Sequence, residues 1–423
     1  MMRVTITLLV GYILTAILGV SAQAKTFNAA SCSVSDVQTA INQTSNGDTV
    51  QVPGGTVTWD ATVTISSSHQ ITLDGGGCTI TWGSSGSGGM SVTAGTAYNT
   101  RITNFTFIGA EPDRTCPITI TSNTSPLTST FRFDHNTLHS GGHESAGGII
   151  FICQNGNGPG LFDHDAFTTT NGADEMLHFQ GLGASNNGGW LDVVTPGSAN
   201  MIFVEDNTFT CTSATLASAF EGYYGARVVV RHNTFNNAQT EFHGGGGIGT
   251  RWWEIYNNNF INANMCFRAG SGVVFSNTNA GQMFMLQEYG TYPAEWQIGQ
   301  GQELVSGTPT SCATGGPPGC DPAYVWNNGS TQLALNTIGC AAPLANMVQL
   351  NRDVYNGSTG LYSAIPATCS KFQAYWATDQ NTLYKCTATN TWTAYYTPYT
   401  YPHPLTQGMA PPAPPSNLQA APQ

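Results

Sequence analysis

Short apolar–polar alternations dominate the chain, and six of them share one phrase: apolar, variable, polar, Asn or Asp, small, then aromatic or Leu. It reads FDHNTL from Phe133, FDHDAF from Phe162, VEDNTF from Val204 and VRHNTF from Val230, with weaker copies ITNFTF from Ile102 and IYNNNF from Ile255. The copies recur at roughly 25 to 30 residues, with one longer gap that must hold an insertion. The apolar period is two, which places Ile102, Phe133, Phe162, Val204, Val230 and Ile255 on the inward side of successive strands. Leu138, Phe167, Phe209, Phe235 and Phe260 point inward again and can stack along an axis. Asn136, Asn207 and Asn233 suit a left-handed turn and can hydrogen-bond to their copies in the next coil. His135, His164 and His232 stand beside them and serve mainly as substitutes for turn Asn. A helical reading fails, because Gly, Asn and Thr are poor helix formers.

Near the N-terminus the period changes. Ser35 and Gln38 have capping-box spacing, and Val37, Ala40 and Ile41 form one apolar face. A short helix there would cover the open end of a coil stack. TVQVPGG, ATVTI and QITLDGGGCTI follow as short strands between Gly turns. The phrase DVQTAI…GDTVQVPGG…ITLDGGG, together with the NTF repeats, resembles the pectate-lyase-like β-helix superfamily over residues 33–279. The resemblance implies an all-β chain folded as a right-handed parallel β-helix, a solenoid with a short N-terminal capping helix. It says little about activity, because that superfamily is described as including lyases, hydrolases, epimerases, phage tailspikes and adhesins. Neither the pectate-lyase calcium-plus-basic-residue signature nor the polygalacturonase Asp set is recognisable.

The ends modify the picture. Arg3, an apolar run over residues 4–20 and Ser21-Ala22-Gln23-Ala24 make a secretory signal, with cleavage expected after Ala24. Residues 25–280 then form the capped β-helix, and 281–408 supply irregular coils and aromatic hairpins that complete it. Residues 409–423 form a Pro-rich flexible tail. The expected product is a soluble, exported monomer without a membrane span. Eleven Cys in an exported chain imply disulfides with a thiol left over. The expected pairs are Cys312 with Cys320, Cys32 with Cys78, and one pair among Cys340, Cys369 and Cys386. A formal charge of −12 and only 9% charged residues argue against nucleic acid as a partner.

After each repeat comes another strand: MLHFQG, AFEGYY, EFHGGG and CFRAGS. With Phe179, Phe220, Phe242 and Phe267 aligned inward, His178, Gln180, Glu221, Glu241, His243 and Arg268 face solvent from consecutive coils. Coils about 4.8 Å apart then place Glu221 between Gln180 and His243, with Glu241 diagonal to it at roughly 8 Å and Arg268 one coil further. The four glycines at 244–247 would let a ligand approach the backbone. The resemblance implies that this sheet carries the substrate cleft. Two chemistries suit the set. In a polysaccharide lyase, Arg268 neutralises a uronate carboxylate and His243 or His178 is the base. In a glycoside hydrolase, Glu221 and Glu241 serve as acid and base, with a spacing that suits inversion and leaves retention open. The bland alternative is that an exposed sheet always displays polar residues, whose mixed charges neutralise one another.

Tyr223, Tyr224, Trp252 and Trp253, with Gln180, are candidates for stacking on and bonding to sugar, with strand packing as the competing role for the aromatics. A second column, Asp134, Asp163 and Glu205 followed by Arg231, would repel itself unless compensated, and calcium is the ion such a column would take. The function expected is recognition and cleavage of an extracellular polysaccharide. The alternative is a noncatalytic surface or adhesion protein.

Overall fold

The computed structural model describes residues 23–407, except 83–87, 110–115, 123–128, 141–148, 173–174, 184–188, 245–247, 288–297, 300–320 and 344–346. Strands stack into three parallel ladders that wind as a right-handed β-helix. The first ladder includes Phe131–Asp134, Gly160–Asp163, Ile202–Glu205, Arg227–Arg231, Trp252–Tyr256, Ser271–Phe275 and Ala323–Trp326. The second includes Thr137–His139, Ala166–Thr169, Thr208–Cys211, Thr234–Asn236 and Asn259–Ile261. The third includes Ile149–Asn155, Glu175–Gln180, Ala217–Tyr223, Ala238–Phe242, Met265–Phe267 and Gln282–Met285.

The repeat phrase sets the register. Ile102, Phe133, Phe162, Val204, Val230 and Ile255 are consecutive lateral partners, and all are fully buried. In the second ladder, Phe167, Phe209, Phe235 and Phe260 stack with centroids 4.8–5.2 Å apart. Polar groups inside such a stack need partners. Between the two ladders the side chains of Asn207, Asn233, Asn258 and Asn277 provide them. Each Nδ2 donates to the next Oδ1 at 3.0–3.1 Å and to the backbone carbonyl two residues earlier. Asn136 and Asp165 extend this ladder toward the N-terminus.

The left-handed residue is one position earlier than expected. His135, His164, Asp206 and His232 have φ of 56–59°, so the histidines occupy the turn while the asparagines bridge coils. The capping helix is Val34–Ile41, with Val37, Ala40 and Ile41 buried as expected. Its N-cap is Ser33, whose Oγ accepts from Asp36 N, rather than Ser35. Gln38 instead ties the cap to the third ladder through the backbone of Thr64.

An antiparallel sheet of Ala374–Ala377, Thr382–Ala388 and Thr391–Tyr396 follows the last coils. It packs on the outer side of the first ladder and creates a second apolar core with Trp252, Tyr256, Phe275, Trp326, Trp376 and Tyr396. Trp252 is therefore sealed beneath this sheet, and Trp253 points into the coil interior against Phe267. Neither meets solvent, which corrects their placement as sugar-binding residues.

The segment after Tyr396 runs back along the first ladder as a strap and covers the Asp134–Asp163–Glu205 column. Those carboxylates leave the strand outward as expected, yet each is fully buried. Arg101 pairs with Asp134, Arg132 with Asp163, and Arg231 with Glu205 at 2.5–2.7 Å. Arg231 also donates to the carbonyls of Tyr399 and Thr400, Arg132 reaches those of Leu405 and Thr406, and His403 N donates to Glu205. The exposed acidic column proposed for calcium is instead a covered ladder of guanidinium–carboxylate pairs. The guanidiniums already supply the positive charge.

Four disulfides lie among the described residues: Cys32–Cys78, Cys116–Cys153, Cys266–Cys340 and Cys369–Cys386. Cys340 thus pairs across to the third ladder rather than within the C-terminal group. Cys312 and Cys320 fall outside the described residues. Cys211 is buried, its Sγ 3.4 Å from Thr215 O. No described helix is long and apolar enough to cross a membrane.

Candidate functional site

The acid cluster sits on the outer side of the third ladder, where backbone register decides which side chains meet. Glu221 is the lateral partner of His178 on one side and Glu241 on the other. The expected neighbours, Gln180 and His243, flank Tyr223 instead, and Glu241 is adjacent rather than diagonal. The cause is a two-residue offset in one strand. Phe179 and Phe242 pair laterally with Gly222, not with Phe220. A side chain at Gly222 would crowd Thr250 Oγ1 at 2.8 Å, while the Phe220 ring packs diagonally, 5.6 Å from Phe179 and 5.5 Å from Phe242. A two-residue shift keeps the face, so Glu221 still points outward.

Arg268 binds the two carboxylates together. Its Nη2 donates to Glu221 Oε1 at 2.8 Å and to Glu241 Oε1 at 2.5 Å, so those oxygens are at most 5.3 Å apart. The Arg268 side chain is 7% exposed and those of Glu221 and Glu241 18% and 17%, a recessed but open site. His243 Nδ1 lies 2.6 Å from Gly244 O, which can only accept. Nδ1 therefore donates to that carbonyl, and Nε2 faces Glu221 Oε1 at 3.6 Å. Tyr223 meets His243 edge to face at 4.7 Å. Gln180 is exposed, and Tyr224 is 39% exposed with its ring 5.2 Å from Tyr223. Of the glycine run only Gly244 is described, and its backbone is packed on Arg268.

Glu175 completes the cluster and escapes sequence reasoning. Its Oε1 is 2.7 Å from His178 Nδ1. Strict alternation from Phe179 would turn Glu175 inward. Met176 and Leu177 are both buried, however, and this doubled inward step brings Glu175 back to the outer face. The same doubling at Ala219 and Phe220 precedes Glu221. Two adjacent apolar residues before an outward polar one were the available signal.

Burial, Glu175 and Glu241 push the Glu221 carboxyl up to about 8, against the pull of Arg268 and His178. Burial lowers His178, with Glu221 acting in the opposite sense. Near neutral pH the site thus holds a protonated carboxyl and a neutral imidazole within 4.8 Å of each other. Glu175, His178 and Glu221 also offer three ligand atoms within 4.8 Å of one another. In the same group His178 Nδ1 lies 2.7 Å from Glu175 Oε1, and Arg268 donates to Glu221 Oε1.

No known family profile matches the chain, and no curated protein does. Among solved structures, it is similar to the PL6 family alginate lyase AlyGC at 12% identity and a TM-score of 0.37, covering 89% of this chain and 57% of that one. A point mutant of the same lyase gives 10% identity and a TM-score of 0.35 over the same shares. The chain therefore spans just over half the length of these lyases.

Proposed function

We propose that this chain is an exported glycoside hydrolase of an extracellular polysaccharide, with Glu221 as proton donor and Glu241 as its carboxylate partner. The observation that carries the reading is the pair itself: two carboxyl groups held by one guanidinium nitrogen, one of them shifted up to about 8. An oxygen–oxygen separation of at most 5.3 Å falls short of the wider gap of inversion and favours the retaining arrangement. In the first step Glu241 attacks the anomeric carbon, the glycosidic C–O bond breaks, and its oxygen takes the Glu221 proton. In the second, Glu221 removes a proton from water, which displaces Glu241 and restores both groups. Arg268 bridges Glu241 to Glu221 and fixes the pair in position. A leader at residues 1–24 and the disulfides support export.

β-Elimination is favoured by a different observation, the neutral His178 oriented by Glu175, which would act as base on a uronate. It requires Arg268 to leave both glutamates for the substrate carboxylate. A polysaccharide panel separates the readings. Hydrolysis gives new reducing ends without the absorbance of an unsaturated product, and elimination gives both. Binding with neither product would make the chain an adhesion protein and end both catalytic assignments.

A further inference from the structure

A second concave site lies on another face of the solenoid. It is a cavity of about 200 Å³ between the start of the Thr100–Ile108 strand and the end of the C-terminal strap, at Leu405. The loop after Gly89–Thr93 forms one wall, and four rungs of the third ladder separate that strand from the one carrying Glu221, about 19 Å at 4.8 Å per rung. It shares no residue with the acid cluster.

The wall is held rigid. Buried Gln70 accepts from the backbone N–H groups of Ala97 and Tyr98, both at 2.7 Å, and donates to Ser67 O. Tyr98 rests on Gly47, where a Cβ would meet the ring at 3.2 Å, and it leaves 43% of its surface open. Arg101 is fixed by two bonds to Asp134 through Nε and Nη2. Its Nη1 makes no hydrogen bond among the described residues. Asn99 Oδ1 is buried, and no donor among the described residues reaches it. The cavity thus combines an aromatic surface, Tyr98, with two planar polar side chains, Asn99 and Arg101, each on a side chain or loop that is already ordered.

That combination suits a sugar ring, which offers an apolar C–H face to an aromatic and hydroxyls to the planar polar groups. Charge narrows the class. The two guanidiniums lining the cavity, Arg101 and Arg132, are matched by Asp134 and Asp163, so the site carries no net charge for a uronate. We propose that this cavity binds one neutral hexose unit of a glycan, at a distance from the cleaving site that would hold the protein on its polymer.

Calorimetry on the Glu221→Gln protein tests this without turnover, so the result is independent of the hydrolase assignment. The probes are cellohexaose, mannohexaose, maltohexaose and hexagalacturonate. At least one neutral hexamer is expected to bind, and Tyr98→Ala should weaken it on the order of three- to tenfold. Tyr98→Phe should restore binding, and Asn99→Ala should weaken it with an unchanged unfolding temperature. Failure of every neutral probe, preference for hexagalacturonate, or undiminished binding in Tyr98→Ala would each overturn the inference. If binding survives all of these while the wild type releases no product, only the hydrolase reading falls.

Discussion

Asp165 shows how a single atom can carry a cost through an otherwise uniform stack. It replaces Asn in the coil-bridging ladder and accepts from Asn136 N and Nδ2 through Oδ1. Its Oδ2 takes the place where the other rungs put an NH2 group aimed at carbonyls, and no donor reaches it among the described residues. Burial raises its pKa well above the usual carboxylate range, which favours the protonated form in the folded protein. The unfolded chain ionises near 3.9, so the stability this group contributes is complete below that pH and declines as pH rises. Asp165→Asn should therefore stabilise the fold at pH 7 by about 1–3 kcal/mol, with the gain shrinking toward pH 4 in denaturant titrations. At the acid cluster, Glu221 must be protonated to act as donor. Activity should fall as pH rises through about 8, and Glu221→Gln should abolish it at all pH with little change in unfolding temperature.

Between elements, the strap is the contact that most changes the meaning of its residues. Arg231 and Glu205 are both fully buried beneath it and bonded to each other and to its backbone. Removing one partner leaves a buried charge, so Glu205→Ala should cost about 3–5 kcal/mol by denaturant midpoint. Glu205→Leu combined with Arg231→Met should recover much of that loss. Calcium added in calorimetry is expected to leave the unfolding temperature unchanged at this column, because each carboxylate already faces a guanidinium. A calcium-dependent rise lost in Glu205→Ala would contradict that assignment.

Across the whole molecule, cross-links divide into those that bear on the site and those that do not. Cys266 is the lateral neighbour of Glu241 and joins Cys340 across 74 residues, whereas Cys369–Cys386 closes 17 residues in the outer sheet. Chain entropy gives about 4.5 kcal/mol for the longer loop and about 3 kcal/mol for the shorter. Replacing Cys266 and Cys340 by Ser should lower both melting temperature and catalytic rate. The same change at Cys369 and Cys386 should lower melting temperature alone. Equal loss of rate in both variants would break the link between Cys266 and the acid pair.

The chain's own alternation was enough to show the parallel coils, the inward column from Ile102 to Ile255, the stacked phenylalanines and the helix over the first coil. Each depends on local period, helical over the first coil and two in the strands, and a period of two has only two outcomes, inward or outward. Lateral partnership is a different quantity. Which residue sits beside Glu221 turned on a glycine at 222, which shifts register without changing face, while a doubled inward step turned Glu175 to the outer face. Burial of outward residues was also beyond local pattern. Asp134, Asp163, Glu205 and Trp252 face away from the coil interior as their period requires, and only a segment more than a hundred residues later decides whether water reaches them. Sequence periodicity specifies direction relative to one strand, while exposure and charge pairing are set by whatever the rest of the chain lays over it.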